Sequence, residues 1–365
     1  MDQAIDDITL DVTVDTDNPD EGVFKIIATV KPDWEPETIT KKPLEEGTVN
    51  VLYKYWDTRF DEAIVVRVFG DGLSQYLNKE EEVKAYRLLG HIESAPKLLC
   101  LFKNGMCTQF VNGEIFSVVK AGKREADIKL AKAVAREIAA YHCEKTTKLA
   151  LEKFNISGDI RLYGIWQQCM DDWTLEMEEA IPILKSEEFP SKSDLQKELE
   201  TLKKMVEDLK FPLVFCHNDL HPGNAIYDEE KDKATLVDFE FCSFYFSGFD
   251  LAFYLFYSVF GLGNRPSPEL PQMHPVEYQT EFLRDYLQTL SRLDNWSRDV
   301  TDDDVEQLRK NVDIFILIVM LVHIPILLVI AAKPTVSKED ALSIPWGCLK
   351  CWKVYLKKRK EVLGY

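Results

Sequence analysis

A chain of 365 residues has room for about two domains of roughly 100–200 residues each. With 44 Lys and Arg against 62 Asp and Glu, its formal net charge is −18, a surface that repels phosphate backbones and sets nucleic acid aside as a partner. The eight cysteines form neither a disulfide framework nor a zinc set (Cys348 and Cys351 make a single CxxC pair), and residues 1–21 lack the basic-then-apolar order of a signal peptide, so the expected compartment is a reducing cytoplasm.

In chain order, residues 1–21 read as an acidic N-terminal tail. Phe24 to Val30 reads as a helix, and Pro32-Asp33-Trp34 with Pro36 as a turn. Thr48 to Trp56 and Ala63 to Phe69 are expected strands, the second apolar and β-branched except for Arg67. Asn78 caps a helix whose first turn holds Glu80, Glu81 and Glu82, and Gly90 ends it. Lys97 to Phe102, Asn104-Gly105 and Met106 to Val111 spell a hairpin. Asn112-Gly113 is a hinge, after which helices prevail. Leu130, Val134, Ile138 and Tyr141 make one helical stripe, and Asp194 to Leu209 a second helix. Val214 to Asp238 reads as two short apolar strands around a polar loop, and from Asp250 on the chain is helical and aromatic. The fold class is therefore α+β, with a sheet-built part over residues 22–112 and a mostly helical part over 113–365. Ile314 to Ala332 is long and apolar enough to span a membrane. Without a second span or a basic flank it is expected to be a helix buried on all sides, with no stable membrane insertion.

The segment richest in chemistry is Val214 to Asp250. Phosphoryl transfer needs a carboxylate near the attacking hydroxyl and oxygen ligands for magnesium. Asp219 and Asn224 share one polar loop, His217-Asn218-Asp219-Leu220-His221-Pro222-Gly223-Asn224, and Asp238 ends a short apolar strand that can deliver its carboxylate to the same place. Any part of this alone reads as a polar turn; the full pattern, with strands on both sides, points to catalysis. Arg67, a cation in an apolar strand, needs a partner, and Glu82 at the start of the next helix suits it; a solvent-facing edge strand is the alternative. Its permanent charge and forked donors match phosphate. Gly47 would let backbone amides approach phosphates, or simply make a turn, and no Walker-type Gly-Lys-Ser/Thr is present. His142 reads as a structural histidine, His217 as a prop for the loop backbone and His221 as a solvent-loop residue.

These residues carry a family resemblance. His217-Asn218-Asp219 with Asn224, Val237-Asp238-Phe239-Glu240-Phe241 and Ser247-Gly248-Phe249-Asp250 resemble the choline/ethanolamine kinase family. So do Pro32-Asp33-Trp34, Gly47 with Asn50, Val66-Arg67-Val68-Phe69-Gly70, Glu81-Glu82-Val83 and Gln109-Phe110-Val111. The central motifs are shared with aminoglycoside phosphotransferases; the amino-terminal ones are narrower. The resemblance spans about Lys31 to Leu363. It implies a two-lobed protein-kinase-like fold with an antiparallel-sheet N-lobe and a mostly helical C-lobe. It also implies ATP- and Mg2+-dependent phosphorylation of a small-molecule alcohol, choline or ethanolamine, for phospholipid synthesis, and leaves a homodimer open. Asp219 would be the catalytic base, Asn224 and Asp238 the magnesium ligands, and Glu240 a member of the metal shell. Arg67, oriented by Glu82, would meet ATP phosphates, Gln109 to Val111 would meet adenine, and Gly47 and Asn50 would cover the phosphates. Asp250 would brace the catalytic loop.

The chain departs from the family at Glu46-Gly47, where a glycine pair is usual, and at Val49, where Ser or Thr is usual. Phe253 and Tyr257 stand for Asn and Glu, Phe241 for Tyr, and Ile324 and Leu327 for two tryptophans that face a quaternary ammonium. Aromatic faces bind cations at about 0.5–2 kcal/mol each, so an altered acceptor pocket is expected. Phe241, Tyr254, Tyr257 and Trp346 are candidate substrate contacts, with core packing as the other reading. Another small hydroxyl acceptor, or a nucleotide-binding pseudokinase, are the alternatives; the presence of Asp219, Asn224, Asp238 and Arg67 argues against the second.

Overall fold

The computed structural model describes residues 8–44, 50–70, 75–115, 124–260, 272–333 and 336–364. The chain divides into two compact units, Met1–Gln75 with Tyr86–Asn112, and Tyr76–Ala85 with Gly113–Tyr365.

The first unit comprises β1 (Ile8–Leu10), α1 (Pro19–Val30), β2 (Ile39–Leu44), β3 (Val51–Asp57), β4 (Ala63–Val68), the second half of α2 (Lys79–His91), β5 (Leu98–Phe102) and β6 (Gly105–Gln109). Its sheet runs β1-β5-β6-β4-β3-β2, antiparallel throughout except for the parallel pair β1–β5. Every second residue of β4 (Ile64, Val66 and Val68) enters one core with Val23, Ile26 and Ile27, which share a face of α1. Arg67 alternates with them and so projects from the opposite face of the sheet, where it is still only 7 % exposed.

Sequence reasoning missed two strands here. The acidic tail expected over residues 1–21 gives way at Ile8 to β1. Leu10, Val12 and Val14 alternate with polar residues and turn one apolar face inward, a signal masked by the interspersed Asp residues. Asn104 fastens this segment: its Oδ1 accepts from the Val14 N–H at 3.0 Å and its Nδ2 donates to the Val14 carbonyl at 2.9 Å. β2 was hidden by Lys41-Lys42-Pro43, a sequence tolerated because the strand lies at the sheet edge.

The hairpin forms, but Lys103 and Asn104 make its turn and Gly105 opens β6 opposite Phe102. The glycine is required by space: a Cβ there would sit 2.1 Å from the Arg67 carbonyl and 2.4 Å from the Phe102 ring. Gly105→Ala is expected to cost about 3 kcal/mol of stability through overpacking, measured by chemical denaturation. An unchanged midpoint would contradict this close approach.

The second unit opens, after the first half of α2, with β7 (Glu114–Ile115), α3 (Arg124–His142), α4 (Glu144–Glu152), α5 (Leu162–Asp172), α6 (Leu175–Ala180) and α7 (Lys192–Leu209). Four strands follow: β8 (Leu213–Cys216), β9 (Ala225–Asp228), β10 (Lys233–Leu236) and β11 (Ser243–Phe246). The chain ends with α8 (Gly248–Phe260), α9 (Val276–Leu293), α10 (Asp302–Ala331) and α11 (Lys338–Leu363). Between Val214 and Asp238 the structure thus places three strands where the sequence suggested two. β8 pairs with the later β11, while β9 and β10 form their own hairpin with β7 alongside. The stripe Leu130, Val134, Ile138 and Tyr141 is fully buried on α3, which packs on β8, β10 and α9. α10 contains the membrane-length stretch and is the core of the unit. Helices α5, α7, α8, α9 and α11 pack on it, and 83 % of its most apolar window is buried, which accounts for a sequence apolar on every side.

Candidate active site

Strand register brings the central residues together. β8 and β11 are antiparallel with Cys216 opposite Ser243, so the chain leaving β8 through His217-Asn218-Asp219 meets the chain entering β11 through Phe239 to Cys242. β9 and β10 pair with Ala225 opposite Leu236, and the Val237 N–H donates to the Asn224 carbonyl at 3.0 Å, extending the ladder one step. Asn224 and Asp238 therefore flank the same end of one hairpin. Asn224 then joins Asp219: its Nδ2 donates to the Asp219 carbonyl at 2.8 Å and to Asp219 Oδ2 at 3.3 Å. With that amide nitrogen committed, Asn224 Oδ1 is turned the other way and accepts no hydrogen bond among the described residues. Asn218 and Asp238 adopt left-handed backbone conformations, with φ of 64° and 68°, where short polar side chains are best tolerated.

The loop is held from behind by Asp250 at the start of α8. Its carboxylate accepts from the His217 N–H at 2.7 Å, from the Asn218 N–H at 2.8 Å and from His142 Nε2 at 3.2 Å. Burial alone would raise this carboxyl, yet His142, then His217 and its amide, hold it below the usual carboxylate range. His142 Nδ1 in turn meets the Tyr286 hydroxyl at 3.0 Å. Cys216 lies within 4.8 Å of His142 and Asp250, but both Asp250 oxygens already accept hydrogen bonds, so the cluster reads as a brace rather than a metal site. His217 donates from Nε2 to the Val237 carbonyl at 3.0 Å and accepts the Asp219 N–H on Nδ1 at 3.3 Å. Both ring nitrogens are thus spent on backbone, which ties the His217–Asn224 loop to the strand delivering Asp238. Asn218 Nδ2 makes the third tie, to Ser243 Oγ at 3.0 Å.

The electrostatics match a site made for a cation and a proton. Asp219 is pushed well above the ordinary carboxylate range, first by burial and then by the charges of Asp238 and Glu240, with Asn224 partly offsetting them. Three acidic side chains crowd together, and the donors they and Asn224 offer are all hard oxygens. That is the chemistry magnesium prefers.

The other candidates fall as follows. Gly47 lies outside the described residues. Asn50 Oδ1 accepts from the Gly70 N–H at 3.2 Å, tying the start of β3 to the end of β4. Gln109 ends β6 and is exposed, and Val111 follows it, part-exposed. Glu82 is buried in the first turn of α2. The four aromatic substrate candidates lie in different surroundings. Tyr254 is stacked on Phe282 at 5.1 Å, Tyr257 packs with Phe253 and His323, Phe241 is part-exposed beside Glu240, and Trp346 is 55 % exposed on α11. Sequence reasoning read His142 as merely structural and did not single out Tyr286 or Ser243. The available signal was a histidine ending an apolar helical stripe, which a buried carboxylate elsewhere had to satisfy.

The model of the family described as choline/ethanolamine kinase matches residues 42–334. Ethanolamine kinase 2 of Mus musculus is 30 % identical over 278 residues, which is 76 % of this chain and 67 % of the relative. Ethanolamine kinase 1 of Mus musculus is 27 % identical over 316 residues, covering 84 % and 82 %. The crystal structure of a choline kinase from Cryptosporidium parvum superposes with a TM-score of 0.71 at 17 % identity, over 94 % of this chain and 96 % of that one, and shows a shared fold. The chain is thus an ATP-dependent phosphotransferase with an alcohol as acceptor, on an α+β kinase-like fold. Within that class it belongs to the choline/ethanolamine kinase family, whose place is phospholipid biosynthesis.

Proposed function

We propose that the chain moves the terminal phosphoryl group of ATP onto the hydroxyl of an amino alcohol, choline or ethanolamine, in the cytoplasm, with Asp219, Asn224 and Asp238 at the centre of the reaction. The observation that carries this reading is their convergence through the register of two antiparallel strand pairs. The relatives that act on ethanolamine by name, and the eight buried free thiols, support the acceptor class and the reducing compartment.

The acceptor oxygen attacks the γ-phosphorus, the bond to the β-phosphate oxygen breaks, and the hydroxyl proton passes to Asp219. Asn224 Oδ1 and Asp238, with Glu240 beside them, would hold Mg2+, which supplies charge neutralisation on the triphosphate oxygens. As the resemblance implies, Arg67 with Glu82 would supply a permanent charge toward phosphate, Gln109 to Val111 backbone groups to adenine, and Gly47 and Asn50 a cover for the phosphates.

The test uses opposite signs. Asp219 has a raised pKa, so folding carries a cost at pH above the unfolded-state value, and that cost is relieved as pH falls from the raised value to the unfolded one. Asp238→Asn removes one of the charges causing it and keeps a residue suited to positive φ. The variant without nucleotide should gain about 1 kcal/mol at neutral pH, ~2 °C in Tm, and lose the further rise that Mg2+ and ATP give the wild-type protein. A wild-type melt indifferent to Mg2+ and ATP, or a variant that keeps the full rise, removes Asp238 from the metal site.

A further inference from the structure

We infer that the cavity beside Trp34 is a second ligand site, for a small organic ammonium that also carries an oxygen acceptor. Every residue lining it belongs to the first unit, and none is among those assigned to the reaction above.

Pro32-Asp33-Trp34, which the phosphoryl-transfer chemistry leaves unused, turns the chain after α1. The Trp34 N–H donates to the Lys31 carbonyl at 3.0 Å, Arg59 Nη2 to the Asp33 carbonyl at 2.8 Å, and the Glu35 N–H to Asp57 Oδ2 at 3.2 Å. Asp57 is fully buried, and its own carbonyl accepts the Phe60 N–H at 3.1 Å. The turn and the link from β3 to β4 are thereby fixed against each other. Both line a cavity of about 200 Å³, with walls of Lys31, Asp33, Trp34, Phe60 and Glu62 and with Val30 at the end of α1.

Trp34 is 6 % exposed, and its Nε1–H has no hydrogen-bond partner among the described residues. Buried donors are nearly always paired, so an orphan on a ring that lines an open cavity calls for an acceptor from outside. The charges set the sign of the ligand. Lys31 Nζ is committed to Glu62 at 2.5 Å, and Arg59 to Asp57 and Glu35, both at 2.7 Å. The Asp33 side chain has no such partner among the described residues. The lining thus holds one cation against two carboxylates. The negative end of the α1 dipole adds to the imbalance, since its last turn has no basic residue. The aromatic rings act the same way. Lys31 Nζ lies 6.0 Å from the Trp34 centroid and the Arg59 guanidinium 5.3 Å from that of Phe60, so both rings already draw cations.

A monocation with an oxygen a few bonds from its nitrogen answers both demands. The ammonium meets Asp33 and the ring faces, and the oxygen accepts from Trp34 Nε1. An anion would face Asp33 and Glu62, and a neutral alcohol would leave Asp33 uncompensated. A free amino alcohol fits this description; its phosphoester does not.

The probe is ethanolamine, titrated without nucleotide into the full chain carrying 15N on its seven tryptophan indoles. Trp34→Phe identifies the Trp34 indole line as the one it removes. Asp33→Asn, an exposed change beside that indole, identifies it by displacement if the phenylalanine variant does not fold. In wild type the line should shift saturably, with half-saturation at about 1–10 mM for so small a ligand. Ethylamine, which keeps the charge and lacks the oxygen, should bind about fivefold more weakly. Phosphoethanolamine should be weaker by at least about fivefold, and ethylene glycol should leave the line in place. Asp33→Asn should weaken ethanolamine about three- to fivefold. A Trp34 line unmoved at about 50 mM ethanolamine, a tighter response to phosphoethanolamine, or an Asp33→Asn variant that binds as wild type would overturn the site. The readout needs neither nucleotide nor turnover, so it stands or falls apart from the kinase reading.

Discussion

Asp219→Ala should lower kcat by about three to four orders of magnitude while changing the affinity for ATP and Mg2+ by less than about tenfold. The asymmetry follows from the geometry. Asp219 is tied to Asn224 through Nδ2 of the amide, whereas the amide oxygen that could meet a metal points elsewhere, so removing the carboxylate takes away the proton acceptor and leaves the metal donors. Initial rates together with calorimetric binding of the nucleotide check both halves. The sign of the pH dependence follows as well. Burial, Asp238 and Glu240 raise the Asp219 carboxyl, so in the free enzyme the base picks up its proton at a pH above the usual carboxylate range. The wild-type kcat/KM should therefore fall on the acid side of that raised value, and Glu240→Gln, by removing one like charge, should move the fall to lower pH. A variant at position 219 that turns over near the wild-type rate would show that another group takes the proton.

Asp250→Ala should be the most destabilising single change at the site, by about 3–5 kcal/mol, and should remove activity with it. Three donors, the amides of His217 and Asn218 and the Nε2 of His142, converge on that one buried carboxylate. Its loss strands them in a region closed to water. Because the carboxyl is held below its ordinary value, the stabilisation is present above the unfolded-state pKa and disappears in acid as pH falls through the depressed one. The variant should lack that part of the acid dependence. Urea denaturation from neutral to acid pH makes the comparison, and a loss below about 1 kcal/mol at neutral pH would mean the loop amides find other acceptors.

The parts of this molecule visible in its sequence are those where one side-chain pattern has one physical explanation. The loop from His217 to Asn224, between two apolar runs, carries more polar groups than a plain turn needs; His217 and Asn218 tie the loop down, and the strand register brings Asn224 and Asp238 to one hairpin end. The apolar run of α10 could have been a span or a core; the helices around it make it a core. What stayed hidden depends on partners distant in the chain. β1 is a strand because β5, some ninety residues away, offers it an edge, and its short alternating pattern lies among aspartates. β2 carries Lys, Lys and Pro because it is itself an edge. His142 looked like any core histidine until Asp250, 108 residues later, was seen against its Nε2. Tyr254 and Tyr257 looked alike on one helix. The structure gives the first a stacking partner on α9 and sets the second against His323.

The most direct measurement is transfer of label from γ-32P ATP, in the presence of Mg2+, to choline or ethanolamine by wild type, Asp219→Ala and Asp238→Asn. The account predicts a labelled phosphoester from the wild-type protein alone, at rates at least about a hundredfold above either variant. Equal rates in all three proteins, or a wild-type protein that labels neither amino alcohol, would contradict it.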